Sequence, residues 1–263
     1  MFEEKNKSTV YGPVKSWRFG MSLGIDPIFE VSTCSFNCVY CQLGQIQDIT
    51  NTRKEFVSTE QVITDYKAIL QAHDVIDVIT FSGSGEPTLA TNLGEISDEI
   101  RKISPDTPQF ILTNATLLGD PTVIKDLLKL DKVTVKLDAT NEELFQKINR
   151  PAMGVSFKQT WEWMVKFRSI YTGEFEVQMM LMPMNKIELG ELSHRLKILR
   201  PDLVQINTPK RPYPLSWHRE NRGNHENIFD YKVSELKTMP KDEAQNIVTQ
   251  LEANTGLKFQ IFN

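Results

Sequence analysis

Short apolar segments alternate regularly with amphipathic helical segments along most of this chain. Six segments rich in Val, Ile, Phe or Met have the length and composition of strands that are covered on both faces. They span residues 29–33, 75–82, 109–114, 132–138, 175–183 and 202–207. Because β-then-α alternation favours parallel strands with right-handed crossovers, the pattern predicts an α/β fold, a partial (βα)6 TIM-like barrel.

Two of the intervening helices carry specific signals. Ser58 stands three residues before Gln61, the spacing of a capping box, and predicts that a helix begins there. Further along, four leucines recur at spacings of three and four and predict one apolar helix face. They are Leu189, Leu192, Leu196 and Leu199.

The length of 263 residues suits one domain with one large core. We expect a single domain over residues 1–263, with the core at about 25–207 and a C-terminal loop and helix extension at about 208–263. No run reaches the roughly 18 apolar residues that a membrane helix needs, and the N-terminus lacks the apolar region of a signal peptide. These features predict a cytoplasmic protein.

The net charge of −4 gives no global attraction for nucleic acid, so nucleic-acid binding would depend on a local basic patch.

All three cysteines of the chain, Cys34, Cys38 and Cys41, fall within eight positions in a C-x3-C-x2-C pattern. The odd count and the absence of an export signal argue against a disulfide framework. Three thiolates on a loop can hold three irons of a [4Fe-4S] cluster and leave the fourth iron open to a further ligand. Structural zinc, which commonly takes four protein ligands in two pairs, and unligated thiols are the alternatives.

The cysteine spacing, with the aromatic Tyr40 directly before the last cysteine, resembles the signature of the radical SAM superfamily. The resemblance implies a [4Fe-4S] cluster on these cysteines whose open iron binds the amino and carboxylate groups of S-adenosylmethionine (SAM). It also implies that an electron passed into the sulfonium releases a 5′-deoxyadenosyl radical, which abstracts hydrogen from a substrate. Tyr40 would flank the adenine.

A glycine-rich turn with an acidic residue, SGSGEPTL, follows the second predicted strand. Glycines let the backbone approach a ligand closely, and a carboxylate is a suitable acceptor for an ammonium group. The resemblance assigns Gly83, Ser84, Gly85 and Glu86 to the family's GGE motif, which binds the methionyl amino group. Ser84 departs from that motif by replacing its first glycine.

Polar residues at the ends of the third and fourth predicted strands are further candidates. Asn114 ends the third, while Lys136 and Asp138 are two apart on the fourth and share one face. The resemblance implies that this region contacts SAM or the substrate, which makes all three SAM-binding candidates and Lys136 and Asp138 the catalytic candidates. An internal salt bridge that only supports the barrel is the alternative for that pair.

The similarity extends over nearly the whole chain to small single-cluster proteins related to the wybutosine-synthesis (tRNA-modifying) radical SAM group. It is carried by seven segments: YGPVKSWRFGMSLGIDP, CVYCQLG, GEPTL, TNATLL, VKLDAT, INRP and VQINTP. A second cluster on cysteines is excluded because none remain, and we expect a separate electron donor such as flavodoxin or ferredoxin. The substrate would be a small molecule, a peptide or a nucleotide. A glycyl-radical activating enzyme that acts on a partner protein, a tRNA-modifying enzyme and, outside enzymes, a zinc-binding RNA-interaction protein are the alternatives.

The Pro-rich segment 207–229 reads as a long irregular loop. Its basic and aromatic side chains suit an anionic or nucleotide-like substrate, and they equally suit a solvated surface loop. They are Lys210, Arg211, Tyr213, Trp217, His218, Arg219 and Arg222. Arg18, near the N-terminus, is a further candidate for the same opening.

Overall fold

A computed structural model of the chain describes residues 8–16, 19–73, 75–209, 212–222 and 231–262. Eight strands form one sheet: β1 (Val10–Ser16), β2 (Gly20–Ile25), β5 (Val78–Phe81), β6 (Gln109–Thr113), β7 (Lys132–Lys136), β8 (Glu174–Met180), β9 (Leu203–Asn207) and β12 (Phe259–Phe262). Their order in the sheet is β1-β2-β5-β6-β7-β8-β9-β12. The β1–β2 pair is antiparallel and the other neighbours are parallel. Two short pairs lie outside it: β3 (Thr33–Cys34) with β4 (Asp48–Ile49), and β10 (Tyr213–Pro214) with β11 (Val233–Ser234).

Helices follow the parallel strands. They are α1 (Thr59–Leu70), α2 (Leu93–Ile103), α3 (Pro121–Leu127), α4 (Glu142–Ile148), α5 (Phe157–Ile170), α6 (Leu189–Leu199) and α7 (Lys241–Thr255). The cap at Ser58 is confirmed, since its hydroxyl accepts from Gln61 N at 3.2 Å. Leu192, Leu196 and Leu199 are buried, which confirms the apolar face of α6. Within the described residues, no helix is both long enough and apolar enough to cross a bilayer.

The α/β fold is confirmed, with seven adjacent parallel strands, one more than predicted, in a sheet that is open rather than closed into a complete barrel. Five predicted strands correspond to β5–β9. The β12 strand pairs with β9, so the C-terminal extension adds to the same sheet as the core.

The predicted first strand, residues 29–33, is wrong. Phe29 has a left-handed φ of 62°, and only Thr33 of that segment belongs to a strand, the two-residue β3. The first parallel strand is β2, which begins with a glycine and contains a second, residues that strands usually disfavour. Packing explains why residue 24 is a glycine, because a Cβ there would lie 2.1 Å from the ring of Tyr11 on β1.

Candidate active site

A cavity of about 350 Å³ includes the carboxyl ends of the parallel strands, where α/β sheets place their ligands. The loop after β3, the turn after β5 and the ends of β6 and β7 contribute to its wall. The sequence-predicted residues that line it are Cys34, Cys38, Tyr40, Cys41, Gly83, Gly85, Glu86, Asn114 and Lys136. Ser84 and Asp138 are buried behind this wall.

Backbone hydrogen bonds hold the cysteine loop in shape. Asn37 N donates to the carbonyl of Asn149 at 2.9 Å, which ties the loop to the end of α4. Within the loop, Cys41 N donates to Cys38 O at 3.1 Å, a turn that brings the third cysteine back towards the second. None of the three thiols forms a disulfide, so all are available as ligands.

The environment of the thiols opposes a negative charge that is not compensated. Burial raises the pKa of Cys34 well above its usual value, that of Cys38 to about 12, and that of Cys41 as well. The negative charges of Glu86 and of the other two cysteines raise the pKa of Cys34 further. A bound metal would reverse this balance, because it supplies the positive charge that a buried thiolate needs.

The donor set fits an iron–sulfur cluster. Cys34, Cys38 and Cys41 face one cavity from one loop, and each thiolate of such a cluster binds a different iron around a common centre. In the described part of the chain, no three His, Cys, Asp or Glu side chains form a site for one metal ion.

The glycine-rich turn lies directly against the strand that leads into the cysteine loop. Thr33 N donates to Ser84 O at 3.1 Å, and Glu86 N donates to Thr33 O at 3.0 Å. A Cβ at Gly85 would lie 1.7 Å from the carbonyl oxygen of Thr33, so this contact requires glycine. The two motifs, about fifty positions apart, are thus joined backbone to backbone one residue before Cys34.

Glu86 is buried and held by neutral donors. Its Oε1 accepts from Thr88 N at 3.1 Å, from Thr88 Oγ1 at 2.6 Å and from Thr113 Oγ1 at 2.6 Å, and its Oε2 accepts from Asn114 N at 2.7 Å. Burial raises the pKa of this carboxyl, an effect that these hydrogen bonds oppose. Because Oε2 accepts from Asn114 N and has two lone pairs, it can accept another donor from the cavity.

Two asparagine amides donate to cysteine sulfurs. Asn114 Nδ2 lies 3.6 Å from Cys34 Sγ, and Asn149 Nδ2 lies 3.5 Å from Cys38 Sγ and 2.8 Å from the carboxylate of Asp138. Asn149 was not among the predicted site residues. Its only local signal is the INRP segment, and one asparagine after a helix has no pattern that would assign it to a site 111 residues earlier.

Asp138 is the centre of a second, charged network. Its Oδ2 accepts from the Tyr40 hydroxyl and from Asn149 Nδ2, and its Oδ1 accepts from Met180 N at 2.8 Å and pairs with Lys136 Nζ at 3.3 Å. The internal salt bridge considered from the sequence is therefore present. Burial raises the pKa of Tyr40 well above its usual value, as does the neighbouring Asp138 carboxylate. Lys136 Nζ also lies 4.9 Å from the Tyr40 ring centre and lines the cavity.

Part of the segment 207–229 packs against the cysteine loop. His218 N donates to Leu43 O at 2.9 Å, the Arg219 guanidinium lies over the Phe29 ring, and Arg222 is buried and lines the cavity. Three of the basic candidates lie outside the described residues: Arg18, Lys210 and Arg211. The described part of this segment is thus a packed element beside the cavity.

Comparison with known proteins agrees with this geometry. The model of the radical SAM superfamily matches residues 31–196. A UPF0026 protein of Synechocystis sp. is 43% identical over 251 residues, 94% of each chain, and a UPF0026 protein of Methanocaldococcus jannaschii is 35% identical over 77% of this chain and 64% of that protein.

Solved structures share the fold at low sequence identity. SuiB of Streptococcus suis, bound to its precursor peptide SuiA, has a TM-score of 0.66 at 15% identity over 93% of this chain, which spans about half of SuiB (49%). The enzyme anSMEcpe with bound AdoMet has a TM-score of 0.63 at 17% identity, covering 91% of this chain and 63% of that one. Archaeal TYW1 has a TM-score of 0.53 at 15% identity, covering 90% and 73%.

The family match covers more than half of the chain and includes the cysteine loop, the Glu86 turn and the Asp138 network. Its members are enzymes that cleave SAM by a radical mechanism with the help of a [4Fe-4S] cluster. This chain belongs to the radical SAM superfamily and, within it, to the UPF0026 proteins.

Proposed function

We propose that this protein holds one [4Fe-4S] cluster on Cys34, Cys38 and Cys41 and uses it to cleave SAM. The resulting 5′-deoxyadenosyl radical would abstract hydrogen from a substrate, which is a small molecule, a peptide or a nucleotide. The electron would come from a separate donor protein such as flavodoxin or ferredoxin, because the chain has no further cysteines for a second cluster.

The observation that carries this proposal is the backbone pairing of Thr33 with Ser84 and Glu86. It fixes the Glu86 carboxylate and the Cys34 thiol on the wall of the same cavity. A ligand that has an ammonium group and chelates metal can therefore reach both at once, and the methionyl end of SAM is such a ligand.

The chain's own residues would divide the remaining work. Glu86 would accept the SAM ammonium on Oε2, while Gly83 and Gly85 let the turn that carries it pack directly against Asp26 and Thr33. Asn114 would orient the Cys34 sulfur, and Tyr40 would contact the adenine with its ring while its hydroxyl stays on Asp138.

Anaerobic reconstitution with iron and sulfide tests the proposal. We expect about four irons and four sulfides per chain and a broad visible absorbance that fades in air. Reduced protein with added SAM should then release 5′-deoxyadenosine. Cys38→Ala should abolish that release, whereas Met153→Ala, at a fully exposed side chain, should leave it unchanged.

Two outcomes would contradict the proposal. Stoichiometric zinc without visible absorbance would favour the non-enzymatic, zinc-binding alternative. Continued SAM cleavage by Cys38→Ala would show that these cysteines do not hold the cluster.

A further inference from the structure

The segment 212–222 reaches into the protein interior through one buried ion pair. Arg222 Nη1 lies 2.9 Å from Asp26 Oδ2, and both side chains are almost fully excluded from solvent, at 3% and 0% exposed. Arg222 Nη2 also donates to Ser8 O at 3.2 Å, and the guanidinium lies 5.1 Å from the Tyr11 ring centre. A buried pair of this kind is sensitive to the loss of either partner, because the remaining charge is left uncompensated.

Asp26 passes this contact on to the glycine-rich turn. Its Oδ2 accepts from both Ser84 N at 3.0 Å and Ser84 Oγ at 2.6 Å. A Cβ at Gly83 would lie 2.2 Å from the Asp26 carboxyl carbon, so the aspartate packs directly on the turn. The Ser84 hydroxyl, which replaces the first glycine of the family motif, has its hydrogen-bond partner here.

The same segment also packs on the other cofactor loop. His218 N donates to Leu43 O at 2.9 Å, and a Cβ at Gly44 would lie 2.0 Å from Ser216 O. One C-terminal segment thus contacts both the cysteine loop and, through Asp26, the turn that carries Glu86.

We propose that Arg222 is a positioning residue for the SAM site: by neutralising buried Asp26, it fixes the Gly83–Glu86 turn in the conformation that receives the SAM ammonium. This rests on the proposed function, because it assumes that the turn binds SAM. Arg222 acts from a distance through Asp26 and Ser84, and the order of the turn depends on the docking of the C-terminal segment.

Two measurements on Arg222→Met test this. Hydrogen exchange of the metal-free protein should become about tenfold faster or more in peptides covering residues 82–86, because Arg222 no longer holds the Asp26 carboxylate that accepts from the Ser84 amide. The reconstituted protein should keep its iron content but bind SAM about tenfold to a hundredfold more weakly, the range expected when a charged hydrogen bond is lost.

Arg222→Lys should restore part of the affinity. Arg195→Met, which breaks an ion pair with Glu191 elsewhere, is the matched control and should change neither readout.

A double-mutant cycle with Ser84→Gly separates action through the turn from direct contact. If Arg222 acts through Asp26 and Ser84, the losses of SAM affinity in Arg222→Met and Ser84→Gly should be clearly less than additive. Additive losses would mean that Arg222, which also lines the cavity, contacts the ligand itself, and would overturn the positioning role. Unchanged exchange in residues 82–86 would overturn it too. If the wild-type protein itself takes up no cluster or SAM, the proposed function fails instead, and the exchange measurement still decides the link from Arg222 to the turn.

Discussion

Two buried carboxylates, one on the cavity wall and one behind it, are held in different ways. Glu86 accepts four hydrogen bonds from hydroxyl and backbone donors, none of them charged. Asp138 has a lysine within 3.3 Å, and its two oxygens share four donors. The Glu86 region therefore keeps a charge that a cationic ligand can neutralise, whereas the Asp138 region is already neutralised by the protein.

This difference indicates which carboxylate is suited to bind a ligand and which is suited to hold the surrounding protein groups in place. A carboxylate without a cationic partner is costly to bury, and it is retained where a ligand provides the missing charge. A carboxylate with a cation and a full set of donors instead fixes the groups around it. By this criterion Glu86 suits a ligand contact, and Asp138 suits a role in holding Tyr40, Asn149 and the end of β8.

The largest expected effect is on stability, from Asp138→Asn. The change leaves Lys136 without its carboxylate and turns an amide towards groups that are already donors, so the free energy of unfolding should fall by about 2–4 kcal/mol. Urea unfolding of the metal-free protein measures it. Asp98→Asn, which breaks the more exposed pair with Lys129, should cost less than about 1 kcal/mol. Equal losses of unfolding free energy in the two variants would mean that the Asp138 network supports the fold no more than an exposed ion pair does.

The next effect is on SAM affinity, from Glu86→Gln. Loss of a charged acceptor for the ammonium should weaken SAM binding to the reconstituted protein about tenfold to a hundredfold with the iron content unchanged. Equilibrium dialysis with labelled SAM measures this. Glu99→Gln, on the exposed side of α2, is the control. An unchanged dissociation constant would remove Glu86 from the SAM site.

The burial of Glu86 also predicts that the stability of the protein depends on pH. Burial raises the pKa of Glu86 above its ordinary 4.5, so the folded protein favours the protonated carboxyl. The stability that this preference contributes is fully present below pH 4.5 and is lost as the pH rises through the pKa of Glu86 in the folded protein. Glu86→Gln lacks this titration. The metal-free variant should therefore gain stability relative to wild type as the pH is raised from about 4 to about 7, measured by urea unfolding. A constant difference would mean that the carboxyl ionises as easily inside the protein as in water.

The sequence predicted those parts of the site that depend on local spacing. The three cysteines and the Glu86 turn are short motifs, and the cap at Ser58 and the strands β5–β9 follow local patterns. Strand β2 was missed because its glycines are explained only by packing against a neighbouring strand. The Asp26–Arg222 pair joins residues 196 positions apart, so no local pattern could indicate it.

The smallest expected effect concerns Asn149, which connects the two regions by donating to both Cys38 and Asp138. A hydrogen bond to a cluster sulfur favours the reduced, more negative state. Replacing Asn149 with Leu should therefore lower the reduction potential of the cluster by about 40 mV, since one hydrogen bond is worth about 1 kcal/mol and 59 mV corresponds to a tenfold change for one electron. A redox titration followed by electron paramagnetic resonance measures the shift. Asn114→Leu should produce a similar shift through Cys34, whereas Asp138→Asn, which leaves both sulfur contacts in place, should produce a smaller one. If Asp138→Asn shifts the potential as much as Asn149→Leu, the charged network tunes the cluster directly, and the division between a binding and a supporting region does not hold.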